Sequence, residues 1–184
     1  MTSRRQLLIG LTGMSAAWRA NHAHGASGDD AASRTYCLKN SKTKRKVCTA
    51  ERVPSAETEA RAKQFRSTPE ALTVYLVRYS WVDAVRPLTI TLNDSTHIDT
   101  LPRSLIWMRL KPGTHLLSFE WDGKTRRHRF EGGAGEVKFI EVAGSSTPVN
   151  PIYHWSDLDA RGAMVRAREC TLVAEIAQWP MVSG

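Results

Sequence analysis

The residues that could act as nucleophiles or metal ligands lie far apart in the sequence. Cys170 could be a catalytic nucleophile only beside a histidine and an orienting partner, and His154 is its nearest histidine along the chain. His97, His115, His128 and His154 fall on different predicted strands, so a metal site would need the fold to bring them together. We therefore expect Cys170 to be a partly buried structural thiol, and we predict no catalytic residue, no metal and no cofactor.

Sequence motifs of the common hydrolases and nucleotide-binding enzymes are absent. The chain contains no G-x-S-x-G, no H-E-x-x-H and no P-loop. Residues 132–135 are rich in glycine, but they join two predicted strands and lack the helix N-terminus that binds phosphate. We predict that the protein is not an enzyme. An envelope hydrolase or transferase, whose site converges only in the fold, is the alternative.

Two further cysteines, Cys37 and Cys48, are separated by ten residues. In an oxidising compartment this spacing favours a disulfide-closed hairpin. Closing a loop of this size would stabilise the fold by roughly 3 kcal/mol through the entropy of the unfolded chain. Two free thiols are the alternative. A zinc site fits poorly, because no C-x-x-C and no paired histidines accompany the cysteines.

The segment between these cysteines is a basic loop. Five of eight residues in it are cations: Lys39, Lys42, Lys44, Arg45 and Lys46. Like charges repel one another, so one interpretation is a solvated loop tip. The other is an anion-contacting finger that the disulfide holds open. No aromatic residue separates the cations, which argues against stacking on nucleic-acid bases.

The first 25 residues have the features of an export signal. Arg4 and Arg5 precede an apolar run of 12 residues, 7–18. A spanning helix needs roughly 20 residues, so the run is predicted to be the hydrophobic region of a signal. The pattern resembles a twin-arginine leader; the general secretory route and a disordered basic N-terminus are the alternatives. We predict no transmembrane span and a location in the periplasm or outside the cell.

The net charge restricts the partners. The chain has 26 Lys and Arg against 18 Asp and Glu, a net charge of +8. Removing residues 1–25 removes Arg4, Arg5 and Arg19, which leaves 23 basic residues and a net charge of +5. This excess favours anionic envelope polymers. It is too small and too dispersed to indicate nucleic-acid binding.

Composition divides the chain into three parts. Residues 1–25 form the predicted leader, and residues 26–54 are predicted to be a flexible N-terminal segment that carries the basic loop. Residues 55–179 are predicted to form the folded domain. It begins with a short helix over residues 56–65, for which Ser55 is a suitable N-cap.

Short alternating segments follow this helix. The predicted strands cover residues 72–79, 87–92, 104–110, 116–121, 125–131, 137–142 and 152–155. Residues 72–79 are apolar on both faces, which indicates a central strand. Asp122-Gly123 predicts a tight hairpin, and the charges of residues 125–131 predict an exposed edge. The pattern predicts a mainly β fold, an antiparallel β-sandwich of the Ig-like or prealbumin-like kind.

The C-terminal part is predicted to be helical. Ser156-Asp157-Leu158-Asp159 resembles a capping box, which predicts a helix from Asp157 to about Glu169. The apolar residues Leu172, Val173, Ile176 and Trp179 predict that this helix, or a second short one, packs on the sandwich.

A sharp turn is predicted at residues 111–115. Pro112 presets φ for its first corner, and Gly113 can supply the positive φ that a type II turn needs next. His115 follows at the start of a strand, where we expect it to be a structural hydrogen-bonding residue.

Several of these features occur together in one family. They are the helix and strand of residues 60–65 and 72–78, the Pro-Gly-x-His turn in 110–115, the strand 137–142 and the acidic helix entry at 157–162. Over about residues 56–175 the chain resembles the bacterial family known as domain of unknown function 2846. The turn also occurs in PEGA and carboxypeptidase-regulatory-like domains. The resemblance implies an envelope protein, often a lipoprotein, with no assigned catalysis.

The chain departs from that family in two features. It lacks a lipid-attachment cysteine after the apolar run, and it carries the basic loop between Cys37 and Cys48. Our expectation is an exported, non-catalytic envelope protein that binds a protein partner or an anionic envelope polymer. A secreted adhesion factor, with the basic loop as its contact element, is a further interpretation.

Overall fold

A computed structural model describes residues 34–40, 43–80, 85–144 and 152–178. In chain order the elements are β1 (Thr35–Lys39), β2 (Lys46–Arg52), α1 (Ala56–Ala62), β3 (Leu72–Arg78), β4 (Leu88–Leu92), β5 (Thr96–Thr100), β6 (Ser104–Leu110), β7 (Gly113–Trp121), β8 (Lys124–Gly132), β9 (Val137–Gly144), β10 (Tyr153–Asp157), α2 (Ala160–Arg168) and β11 (Thr171–Ala177). The leader and Trp179 lie outside the described residues.

Two sheets stack to form the predicted β-sandwich. One has five strands in the order β10-β9-β3-β6-β11, and the other has four in the order β5-β4-β7-β8. Alternating residues of both sheets meet in one core, for example Leu76 and Ile106 against Ile90, Leu117 and Phe119. The period of two in strand side chains places these residues on one face. The mainly β prediction is confirmed.

Strand β3 is buried on both faces, as its sequence predicts. Leu72, Val74 and Leu76 face the core between the sheets. On the opposite face, Tyr75 and Val77 pack with a second apolar cluster that includes residues of both helices. The five-stranded sheet therefore has the sandwich core on one side and α1 and α2 on the other.

The five-stranded sheet also contains two parallel pairs. β3 is antiparallel to β6 but parallel to β9, and β11 is parallel to β6. Parallel neighbours need a crossover connection, and the segment β10-α2 supplies one before β11. The sequence pattern did not predict these pairs.

The C-terminal prediction is wrong after Cys170. Residues 171–177 form β11, so β10 is not the last strand, and no second helix forms there. Leu172 packs with the helix-side cluster, whereas Val173 packs into the sandwich core. β11 has apolar residues on both faces and a register irregularity between Leu172 and Ala174. The spacing of its apolar residues along the sequence therefore resembles that of a helix.

The helix α2 begins later than its sequence predicts. Asp159 is the N-cap, and its carboxylate accepts a hydrogen bond from the Gly162 amide at 2.9 Å. Ser156 and Asp157 belong to β10 instead. The predicted capping box contains two acidic residues, Asp157 and Asp159. Pairing of β10 with β9 keeps Asp157 in the strand, so Asp159 becomes the N-cap. At α1, Ser55 is the N-cap as predicted, accepting from the Thr58 amide at 3.1 Å.

Within the segment predicted to be flexible, residues 34–40 and 43–54 are described. They contain two paired strands, β1 and β2, which are antiparallel. β2 packs against β5 and β11, one edge strand from each sheet. The hairpin therefore lies beside one open side of the sandwich.

No helix in the described ranges is long and apolar enough to cross a membrane.

Candidate anion-binding surfaces

The basic loop is the tip of the β1–β2 hairpin. Cys37 and Cys48 lie directly opposite in the strand register and form the expected disulfide. Beyond them, the Asn40 amide donates to Arg45 O and the Lys44 amide to Asn40 O, both at 2.9 Å. The Thr43 amide donates to Asn40 Oδ1 at 3.0 Å. These bonds fix Asn40 relative to Thr43, Lys44 and Arg45, and Lys44 has a φ of +58°.

The described cations of this tip are exposed, and no described acidic residue pairs with them. Lys39, Lys44, Arg45 and Lys46 are exposed, and none of them lies within 4.0 Å of a described carboxylate. Lys42 lies outside the described residues. We define these four described cations as the hairpin tip surface.

Two of these cations face each other. Lys39 and Lys46 are directly opposite in the register of β1 and β2. Like charges at opposite positions of an antiparallel pair destabilise the pairing. The disulfide lies two register positions away and holds the strands together despite this repulsion.

The base of the hairpin is fixed to the sandwich. The Tyr36 hydroxyl donates to Pro102 O at 3.0 Å, which joins β1 to the sandwich. Within the hairpin, the Tyr36 amide donates to Thr49 Oγ1 of β2 at 3.2 Å. Burial raises the pKa of the Tyr36 phenol, so the hydroxyl keeps its proton and continues to donate. The hairpin is therefore anchored at its base and charged at its tip.

A second group of cations lies on the edge strand β8. Lys124, Arg126, Arg127 and Arg129 are all exposed, and none of them forms an ion pair with a described residue. β8 is the edge of the four-stranded sheet, opposite to β5. We define these residues as the β8 basic edge. The sequence pattern predicted an exposed charged edge but gave no reason to treat it as a binding site.

The outer face of the four-stranded sheet carries a shallow depression of about 570 Å³ beside this edge. Small hydroxyl residues line its floor, among them Thr91 and Ser118, and Arg127 borders it. The Thr91 hydroxyl is 3.0 Å from His97 Nδ1. The depression is polar and open.

The turn predicted at residues 111–115 connects the two sheets. β6 ends at Leu110 in one sheet, and β7 begins at Gly113 in the other. Gly113 has a φ of +136°, and a Cβ there would meet no heavy atom within 4 Å, so backbone conformation is what favours glycine. His115 Nε2 donates to Lys111 O at 2.8 Å, which ties the new strand to Lys111, just before Pro112.

The thiol of Cys170 is buried away from the histidines. Its side chain is 1% exposed, and burial raises the pKa of the thiol to about 12. Among the described residues, no hydrogen bond joins its sulfur to a histidine, and His154 is an exposed residue of β10. At neutral pH the thiol is therefore protonated, the form that is a poor nucleophile.

The histidines are distributed over separate sites. His97 contacts Thr91, His115 contacts Asn93, and His128 Nε2 is 3.3 Å from Asp157 Oδ1. His128 also stacks on Trp155, with ring centroids 5.6 Å apart. In the part of the chain that the structure describes, no three His, Cys, Asp or Glu side chains converge as a metal site would require.

No protein-family model matches the chain, and no curated protein is significantly similar to it.

Proposed function

We propose that this protein is an exported, non-catalytic envelope β-sandwich that binds an anionic envelope polymer or a protein partner through its hairpin tip surface. The observation that carries the proposal is the direct opposition of Lys39 and Lys46. An oppositely charged pair at these positions would stabilise the hairpin by roughly 0.2–1 kcal/mol relative to an alanine pair, whereas two lysines destabilise it. An external anion would offset this repulsion.

The construction of the hairpin supports this role. Its backbone is held by a disulfide and by the turn bonds around Asn40. A ligand that contacts the tip therefore meets cations whose backbone positions are set before binding, and less conformational entropy is lost on association. Lys and Arg side chains at an exposed tip also attract anions over about one Debye length, ~8 Å at physiological salt.

The proposed location of the protein in the cell envelope rests on two features of the chain. A structural disulfide is typical of proteins that fold in an oxidising compartment, and the sequence of residues 1–25 has the features of an export signal. The resemblance to domain of unknown function 2846 favours the envelope as the place of action. The buried, protonated thiol of Cys170 favours a role without covalent catalysis.

The experiment compares two variants of equal charge. The first carries Lys44→Asn, Arg45→Ser and Lys46→Thr; asparagine is chosen at position 44 because it tolerates the positive φ. The control carries Arg66→Ser, Lys111→Ser and Arg161→Ser, which removes three exposed charges elsewhere. Binding to isolated envelope fractions is measured at low and physiological salt.

We expect the hairpin variant to bind at least tenfold more weakly than the control, and to lose most of the salt dependence. Digesting the envelope fraction with protease distinguishes the ligands, since an anionic polymer would survive and a protein partner would not. Equal binding by both variants would refute the hairpin tip as the contact surface.

A further inference from the structure

The β8 basic edge has a second property besides its charge: no described strand is hydrogen-bonded to its outward backbone groups, although β10 of the other sheet packs nearby. β8 pairs with β7 and forms the end of the four-stranded sheet. Asp122 and Gly123 make a two-residue turn with φ values of +51° and +65°, and Trp121 and Lys124 flank it. In such a hairpin the flanking pair exchanges hydrogen bonds, and the pairs alternate from there.

This alternation identifies the groups that face outward. Lys124, Arg126 and His128 direct their N–H and C=O groups toward β7. Thr125, Arg127 and Arg129 therefore direct theirs away from the sheet, and none of the N–H and C=O groups of these three residues is hydrogen-bonded elsewhere in the described residues. Trp155 of β10 packs against β8 from the other sheet, and its Nε1 donates at 3.2 Å to Arg126 O, which is not one of the outward groups.

The side chains around this edge determine what it can accept. Arg127 and Arg129 project on the solvent face of the sheet, and Lys124 and Arg126 project on the other face. A strand added here would be flanked by cations on both faces. Glu131 at the far end of the outward set and Asp157, which is 3.3 Å from His128, are the acidic residues described at this edge. They are outnumbered by Lys124, Arg126, Arg127 and Arg129, so the charge of the edge is mainly positive.

A second copy of β8 fits this edge poorly. Antiparallel pairing of two β8 strands, centred on Arg127 or between Arg127 and Arg129, places arginine opposite arginine. Like charges at such positions destabilise pairing. Charged residues on an edge strand are a known protection against self-association, and here the same charges would attract a strand of the opposite sign.

We propose that β8 is a docking strand for an extended acidic peptide, which adds to the four-stranded sheet as a fifth strand. Its backbone hydrogen bonds are made to Thr125, Arg127 and Arg129, and its carboxylates contact Arg127, Arg129 and Arg126. Strand addition of this kind takes affinity from the main chain and specificity from alternate side chains. The site lies at the opposite edge of the four-stranded sheet from β5, against which the hairpin packs, so this proposal is independent of the proposed function.

The test separates backbone pairing from charge. Arg127→Pro removes an outward N–H without touching a bond to β7, as proline is tolerated on sheet edges. Arg127→Thr removes the same charge and keeps the N–H. The probe is a synthetic peptide with alternating glutamate and valine, and polyglutamate, which has the charge without the strand propensity, is the comparison ligand.

We expect the alternating peptide to bind the proline variant about tenfold more weakly than the threonine variant, and polyglutamate to bind both variants equally. Hydrogen exchange on the wild-type protein gives a second readout, since the peptide should protect the amides of Thr125, Arg127 and Arg129. This readout holds even if the proline variant does not fold.

Three results would overturn the proposal. The first is equal binding of the alternating peptide by both variants, and the second is the absence of protection at the outward amides. The third is a dimer of the free protein that Arg127→Pro abolishes, since it would assign the edge to a second copy. The hairpin variant described above should bind the peptide normally, so failure of one proposal leaves the other intact.

Discussion

Asn93 and His115 are joined by a hydrogen bond of 3.0 Å between Asn93 Nδ2 and His115 Nδ1. His115 Nε2 lies 2.8 Å from Lys111 O. A carbonyl oxygen can only accept, so Nε2 carries the proton and Nδ1 accepts from the Asn93 amide. Asn93 Oδ1 in turn accepts from the Leu116 amide at 3.0 Å. The two side chains link the β4–β5 turn to the point where the chain enters the four-stranded sheet.

Replacing His115 should destabilise the sandwich. His115→Ala removes both ring hydrogen bonds and the stacking on Phe130, whose ring centroid is 5.6 Å away. We expect the free energy of unfolding to fall by about 2–4 kcal/mol, measured by urea denaturation. Asn93→Gly keeps the positive φ of 49° and removes the partner. In a double-mutant cycle the two changes should couple by about 1 kcal/mol, and strict additivity would contradict the link.

Two buried tyrosines should respond oppositely to loss of the hydroxyl. Tyr75 is fully buried, and its hydroxyl has no hydrogen-bond partner among the described residues. Tyr75→Phe removes an unsatisfied polar group, so we expect a gain in the free energy of unfolding of about 1 kcal/mol. Tyr153 accepts from Arg78 Nη2 at 3.0 Å, and Tyr153→Phe should cost about 2 kcal/mol.

Urea denaturation of both phenylalanine variants measures the difference directly. Each substitution removes the same oxygen atom from a residue that is at most 1% exposed, so each serves as the control for the other. Changes of the same sign in both variants would contradict the assigned hydrogen bonding.

Alkaline pH should destabilise the protein through Cys170. Burial raises the pKa of its thiol to about 12 in the folded state, from an ordinary value of 9.0. The folded state holds the proton more tightly, so the contribution to stability is fully present below about pH 9 and is lost as the pH rises toward about 12. Burial also raises the pKa of Tyr75, which adds to the effect in the same direction.

Denaturation midpoints between pH 7 and pH 11 test this linkage. We expect Cys170→Ala to weaken the decline above pH 9 relative to the wild-type protein. Native Cys170 should also resist iodoacetamide at pH 8 and react once the protein is unfolded. Rapid alkylation of the native thiol would show that the sulfur is accessible and ionised.

Loss of the disulfide should loosen the hairpin. The chain-entropy model assigns roughly 3 kcal/mol to closure of a loop of this size. In a Cys37→Ser/Cys48→Ser variant we expect the free energy of opening at the β2 amides to fall by about that amount, measured by native-state hydrogen exchange. Amides of β3, in the sandwich, should be affected less. Unchanged exchange in β2 would mean that packing against β5 and β11 alone holds the hairpin.

Local sequence signals predicted the features that depend on few residues. The Asp122-Gly123 hairpin follows from two residues that tolerate positive φ. The burial of β3 on both faces follows from the apolar residues that its sequence places on each face. The cap of α1 follows from the Ser55 hydroxyl and its position three residues before the Thr58 amide.

The features that the sequence did not predict depend on contacts with residues distant in the chain. Val173 faces the sandwich core and Leu172 the helix side, and only the presence of both layers distinguishes β11 from a helix. Lys39 and Lys46 were visible as members of a basic loop, but their direct opposition required the register of β1 and β2. The outward amides of β8 likewise became identifiable only from its pairing with β7 and the register of that pair, which sets which residues are hydrogen-bonded to β7.

The sequence by itself determined the fold class, the disulfide-closed basic hairpin and most strand positions, because alternation, turn chemistry and capping act over a few neighbouring residues. Only the tertiary structure decided that Lys39 lies directly opposite Lys46, that β11 runs parallel to β6, and that Cys170 is buried without a histidine. These properties arise from packing between segments far apart in the chain, where a residue's role depends on which layer covers it.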